Sequence, residues 1–136
     1  MITPLKIGDS YTISKKITEE DVVKFAEVTG DNNPLHLDAD YASKSMFGGR
    51  IAHGMISAGI ISGALGTGMP GIGTTYLGQE LSFCKPVKIG DTLTVSLTVD
   101  EILHKKKFDI AKIKTLCTNE VGETVVNGIA TVIPPQ

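Results

Sequence analysis

His53-Gly-Met-Ile-Ser-Ala-Gly-Ile-Ile-Ser-Gly-Ala-Leu-Gly66 is apolar or small on every side. A helix with no polar face has nowhere to meet solvent, so this stretch predicts a helix through the centre of the domain. At 1.5 Å per residue it runs roughly 20 Å, enough to cross a small domain. Ala58, Ser62 and Gly66, with Gly59 and Gly63, recur at four-residue spacing and let another surface approach the helix backbone closely. The stretch also tests a membrane reading, because no Lys, Arg, Asp or Glu stands between Ile51 and Gln79. Eight glycines and Pro70 interrupt that interval, which is poor material for a continuous span of about 20 residues. A buried helix is expected, and no membrane partner.

Outward from the helix the period changes. After Thr74 it becomes two: Leu93, Val95, Leu97 and Val99 alternate with Thr92, Thr94, Ser96 and Thr98, the pattern of a half-buried antiparallel strand. A strand from Phe108 carries apolar residues on both phases, which predicts a bulge near Ile110 to Lys112. Glu120-Val-Gly-Glu123 reads as a turn and Thr124 to Ile133 as a last strand. On the other side, Lys6-Ile-Gly-Asp9 and Lys88-Ile-Gly-Asp91 read as one turn used twice, each before a strand. Thr18-Glu-Glu-Asp21 reads as a capping box opening a helix over Glu19 to Thr29, and Asp38 as the cap of a short helix through Lys44. The fold class is therefore α+β, with one antiparallel sheet wrapped around one long central helix and a single domain over residues 1–136. The side of the helix that the sheet leaves open predicts a homodimer.

Composition narrows the function. The chain has 136 residues, 41% of them apolar, which suffices for one core. A net charge of −2 gives no general attraction to nucleic acid. Cys84 and Cys117 have no paired spacing, and Met1-Ile-Thr-Pro-Leu-Lys6 lacks the layout of a signal peptide, so a cytoplasmic setting is expected. His36, His53 and His104 have no metal-ligand spacing, and neither a Gly-rich phosphate loop nor a Gly-x-Ser-x-Gly elbow is present. Chemistry without a metal or cofactor is the expectation.

The polar stretch before the central helix carries the chemistry. In Thr29-Gly-Asp-Asn-Asn-Pro-Leu-His-Leu-Asp38, Gly30 suits a helix C-terminus and Pro34 stiffens the chain between Asp31 and His36. A carboxylate and an imidazole aimed at one water form a general acid/base pair. Asn33 is expected to lock the loop through its side chain, and His53 to cap or orient the central helix.

The run Phe25-Ala-Glu-Val-Thr-Gly-Asp-Asn-Asn-Pro-Leu-His-Leu-Asp-Ala-Asp-Tyr-Ala42, with Gly49-Arg-Ile-Ala-His-Gly-Met55, resembles the hydratase motif of the MaoC-like, (R)-specific enoyl-CoA hydratases. The resemblance implies the hot dog fold and reversible syn addition of water to a trans-2-enoyl-CoA, giving an (R)-3-hydroxyacyl-CoA. It places the catalytic acid and histidine on Asp31 and His36 and the thioester-binding backbone amide on Gly54. It also implies an acyl-CoA partner, no separate cofactor, and short or medium acyl chains. Ser62 and Leu65 are expected in the acyl pocket. Arg50, Lys85, Lys88, Lys105 and Lys106 are the candidates to meet the phosphates of CoA. Rival readings are a 3-hydroxyacyl carrier-protein dehydratase, a thioesterase of the same fold, and a non-catalytic acyl-CoA-binding domain. Supply of polyhydroxyalkanoate monomers and fatty-acid degradation both fit a hydratase.

Overall fold

Each strand predicted from the period of two is present, and together they form one sheet. A computed structural model describes residues 4–136, so the first three residues of the Met1–Lys6 reading lie outside the described residues. The strands are β1 (Ser10–Lys16), β2 (Thr75–Phe83), β3 (Thr92–His104), β4 (Asp109–Thr118) and β5 (Thr124–Ile133). They run in the order β1-β3-β4-β5-β2, and every neighbouring pair is antiparallel. The repeated turn is also present: the carboxylates of Asp9 and Asp91 accept from the backbone N–H of Lys6 and Lys88, each at 2.9 Å.

The helices precede the sheet's long meander: α1 (Glu19–Thr29), α2 (Pro34–Leu37), α3 (Ala39–Ser43) and α4 (Gly54–Gly63). Thr18 and Asp21 close the expected capping box on α1, and the Asp38 carboxylate caps α3 through the Tyr41 N–H at 3.0 Å. The segment read as a plain loop contains one helical turn, α2, opened by Pro34 at its first position.

Leu93, Val95, Leu97 and Val99 of β3, Ala111, Ile113 and Cys117 of β4, and Val126, Ala130 and Val132 of β5 turn inward together. They pack on Ile56, Ile61, Ala64 and Leu65 of the central helical segment. Each buried Leu, Ile or Val contributes about 1.5–3 kcal/mol, so this shared core fixes where α4 lies.

Two details differ from the sequence reading. The central segment is α-helical only over Gly54–Gly63 and then widens to a turn over Ala64–Gly68, where the Met69 N–H reaches back five residues to the Ala64 carbonyl at 2.9 Å. The side that the sheet is expected to leave uncovered is open: Met55, Gly59, Ser62 and Gly63 are exposed, because a single-layer sheet covers only the face bearing Ile56, Ser57 and Ile61. The bulge lies on β3, not between Ile110 and Lys112. Val99 pairs with Ile113 and Glu101 with Lys112, leaving Asp100 as the extra residue, its carboxylate 3.5 Å from the Lys114 ammonium.

Gly128 of β5 pairs with Leu81 of β2, and a Cβ there would run into the Glu80 carbonyl oxygen. Gly128→Ala is expected to lower stability by about 1–3 kcal/mol in urea unfolding. Gly78→Ala, whose Cβ would meet only the Thr131 Cβ at 4.0 Å, should cost less.

Candidate active site

α1 ends where its sequence tells it to. Gly30 takes a left-handed conformation (φ 77°) and its N–H closes on the Ala26 carbonyl at 2.8 Å, so Asp31 begins the exit. The Asp31 N–H donates to the Thr29 hydroxyl at 3.2 Å, and the Asp31 carboxylate accepts from the Asn33 N–H at 3.4 Å. The Asn33 side chain caps α2 by accepting from the Leu35 N–H at 3.1 Å, the locking role expected of it. One turn later His36 points inward and is buried, while Asp31 stays exposed.

A second segment, Arg50–His53, laces this loop in place. The Ile51 N–H donates to the Leu35 carbonyl at 3.2 Å, and the Ile51 carbonyl lies 2.7 Å from His36 Nδ1. Arg50 Nε donates to the His36 carbonyl at 2.7 Å, and His53 Nε2 lies 2.9 Å from the Asp31 carbonyl. A carbonyl only accepts, so His36 carries its proton on Nδ1 and leaves the Nε2 lone pair free. His36 faces a cavity of about 300 Å³ walled by Gly54, Ser57, Phe83, Val125 and Val126.

The fold brings Asp31, His36 and His53 together, with a carboxylate oxygen and one nitrogen of each ring within 4.8 Å of one another. Sequence spacing brought Asp31 and His36 together but gave no hint that His53 joins them. The His36 and His53 rings face each other with centroids 4.0 Å apart and planes tilted by 31°.

Gly54 is the first residue of α4, where backbone N–H groups lack intrahelical acceptors and the helix dipole favours an anion. Of the two roles expected of His53, capping or orienting the helix, it does not take the first: it supplies no side-chain cap, and its ring is turned back to Asp31. A side chain at 54 would press on the Phe83 ring, 2.9 Å from where its Cβ would sit. Phe83, Ser57, Val125 and Val126 are site residues that the sequence did not mark. Strand register brings Phe83 and Val126 to this end of the sheet, where Phe83 pairs with Val126 and Val126 with Cys117, while Ser57 comes from the first turn of α4. Burial pushes the Cys117 thiol up to about 11 against an opposing hydrogen bond to Ser57, so it remains a protonated core group.

The other predicted positions separate. Leu65 is a core residue, 1% exposed, and Ser62 lies on the open side of α4; neither lines the cavity beside His36. Arg50 is committed to structure, its Nη1 2.6 Å from the Glu19 carboxylate and its Nε on His36. Lys105 and Lys106 form the β3–β4 hairpin tip, at the end of the sheet where Ile133 pairs with Thr75, opposite the Phe83 end. Within one chain that tip is far from the cavity. Lys85 lines the cavity mouth and pairs with Glu123 at 2.7 Å; Lys88 is exposed nearby.

A family model described as MaoC like domain matches residues 5–128. The chain is 46% identical to an (R)-specific enoyl-CoA hydratase of Rhodospirillum rubrum over 96% of this chain and 89% of that protein. It is 43% identical to a 3-hydroxybutyryl-CoA dehydratase of Methylorubrum extorquens, over 97% and 82% respectively. Its fold superposes on an unliganded R-hydratase of Pseudomonas aeruginosa with a TM-score of 0.91 and 45% identity, covering 97% of this chain and 83% of that one. The fold is the hot dog fold that the motif implied.

Replacing Arg50 separates its structural role from a ligand role. Arg50→Leu is expected to lower stability in the absence of substrate by about 1.5–3 kcal/mol, the range for a charge-assisted hydrogen bond. Arg50→Lys should recover only part of that loss. Glu19→Gln, at the exposed partner, should cost less than about 1 kcal/mol in the same urea titration.

Proposed function

The chain belongs to the MaoC-like domain family, and from that membership and the Asp31–His36 geometry we propose that it is an (R)-specific enoyl-CoA hydratase. The observation that carries the reading is an exposed carboxylate and an imidazole with a free Nε2, held within 4.8 Å at the mouth of an apolar cavity. A non-catalytic acyl-CoA-binding domain has no need of that pair.

In the proposed reaction one water sits between Asp31 and His36. The pair takes its proton as the oxygen attacks C3 of the trans-2-enoyl thioester, and electron density moves through C2 to the thioester oxygen. The Gly54 N–H, at the positive end of α4, stabilises the enolate so formed. A donor fixed in this way is typically worth about 3–4 kcal/mol of barrier. The pair then returns a proton to C2 on the face from which water arrived. Because both groups face the same water, the proton is assigned to the pair and not to one member.

The apolar wall of Phe83, Val125 and Val126 suits a short acyl chain in place of the Ser62–Leu65 pocket. Lys85 and Lys88 are the proposed contacts for the phosphates of CoA. No resident metal or cofactor is needed in this scheme, since proton transfer and the helix amide supply all of its charge stabilisation. Among the described residues no helix is long and apolar enough to cross a membrane. A cytoplasmic setting is part of the proposal, supported by two unpaired cysteines, Cys84 and Cys117. So is a homodimer, supported by the open side of α4, where Gly59, Ile60, Gly63 and Phe25 line a groove of about 620 Å³.

Purified protein with crotonyl-CoA should lose the enoyl absorbance without releasing free thiol. Asp31→Ala and His36→Ala should each stay folded and lose about 10²–10⁴-fold in kcat. Thiol release would make the enzyme a thioesterase, and near-normal turnover in either variant would remove the shared-water mechanism.

A further inference from the structure

His53 is a buried imidazole, 2% exposed, that the proposed chemistry leaves unused. It follows Ala52, whose N–H is fixed by the Val87 carbonyl at 2.7 Å, and it immediately precedes Gly54. Its position is therefore set from the β-side of the molecule. Its Nε2 lies 2.9 Å from the Asp31 carbonyl, and because that oxygen only accepts, the ring proton is on Nε2. Nδ1 is then a bare lone pair, and it has no partner among the described residues. Leaving a buried polar atom without a partner is unfavourable, so another contact of this ring must offset it.

That contact is the ring face. His53 stacks on His36 at 4.0 Å between centroids, and its other neighbour, the Phe25 ring of α1, lies 4.8 Å away at 45°. One side chain thus touches both halves of the proposed acid/base pair, the Asp31 backbone through Nε2–H and the His36 imidazole through its face. Phe25 backs the stack from the helix that delivers Asp31. Asn or Leu in this place would fill some of the volume but could not do both.

We infer that His53 is a positioning residue of the hydration, clamping the Asp31 backbone with its Nε2–H and the His36 ring with its face so that the two groups keep one relative geometry. Its contacts are to the Asp31 carbonyl and the His36 and Phe25 rings, so it acts through Asp31 and His36. The inference rests on the hydratase reading for its kinetic consequence but not for its geometry.

The test combines two variants with one spectroscopic measurement on the wild-type protein. His53→Phe keeps a ring to stack and removes the donor to Asp31. His53→Gln places an amide N–H where Nε2 stood and removes the stack. A misplacement of about 1 Å costs on the order of 10²-fold, so His53→Phe should lose about 10- to 100-fold in kcat with KM within about threefold of the wild type. His53→Gln should regain part of that loss. Imidazole ¹⁵N spectra of the wild-type protein should show His53 protonated at Nε2 and bare at Nδ1, and His36 protonated at Nδ1. A His53→Phe variant with kcat within about threefold of wild type, or one in which only KM changes, overturns the inference. So does a His53→Gln variant no better than His53→Phe, or a spectrum with His53 protonated at Nδ1. Should the variants not fold, the spectrum alone decides the clamp. Wild-type protein that shows this spectrum but does not hydrate crotonyl-CoA would instead overturn the hydratase reading and leave the clamp standing.

Discussion

Everything in this site depends on the lacing of two short segments, Asp31–Leu37 and Arg50–His53, that are far apart in sequence. Four hydrogen bonds join them, through Ile51 N–H and its carbonyl, Arg50 Nε and His53 Nε2. Neither segment is in the sheet, and neither has enough local structure to hold its shape alone. α2 is a single turn, and Arg50–His53 is nearly extended, with only the Ile51–Lys88 bridge and the Ala52–Val87 bond connecting it to the β-side. The cross-ties convert two loops into one rigid unit at the head of α4.

That rigidity has a chemical purpose. Fixing a loop residue costs about 1–2 kcal/mol of conformational entropy. Here folding meets that cost, so the catalytic step need not. The same bonds select proton positions. With the Ile51 carbonyl on Nδ1, His36 offers Nε2 to the cavity, and no tautomer change is needed before it accepts a proton. The helix beyond His53 supplies the third component, an amide at the positive end of a dipole, and the sheet's core residues fix where that amide stands.

Much of this was legible in the sequence, for physical reasons that differ by element. The capping box at Thr18, the glycine terminator at Gly30 and the alternation of β3 are local signals, and local rules read them correctly. Asp31 and His36 were legible because a proline and a glycine constrain the few bonds between them. What was missed is non-local. His53 looked like a helix cap because it stands one residue before the helix, yet its partner is twenty-two residues upstream. Phe83 and Val126 meet at the cavity only through strand register, which the sequence does not print. Arg50 looked like a free cation, and only the approach of α1 and α2 shows that its fork is already occupied. The central segment reads as one long helix, yet it is α-helical only over Gly54–Gly63 and widens beyond it. The bulge was placed on β4 because both of its phases carry apolar residues, whereas the extra residue is the charged Asp100 opposite.

The central claim is that one water, held by Asp31 and His36 on a single face of the substrate, supplies both groups added across the double bond. Hydration of crotonyl-CoA in D₂O reads that claim directly, through the relative configuration of deuterium at C2 and hydroxyl at C3. The account predicts (R) configuration at C3 with deuterium on the same face as the hydroxyl. Deuterium on the opposite face, or hydroxyl of (S) configuration, would contradict it.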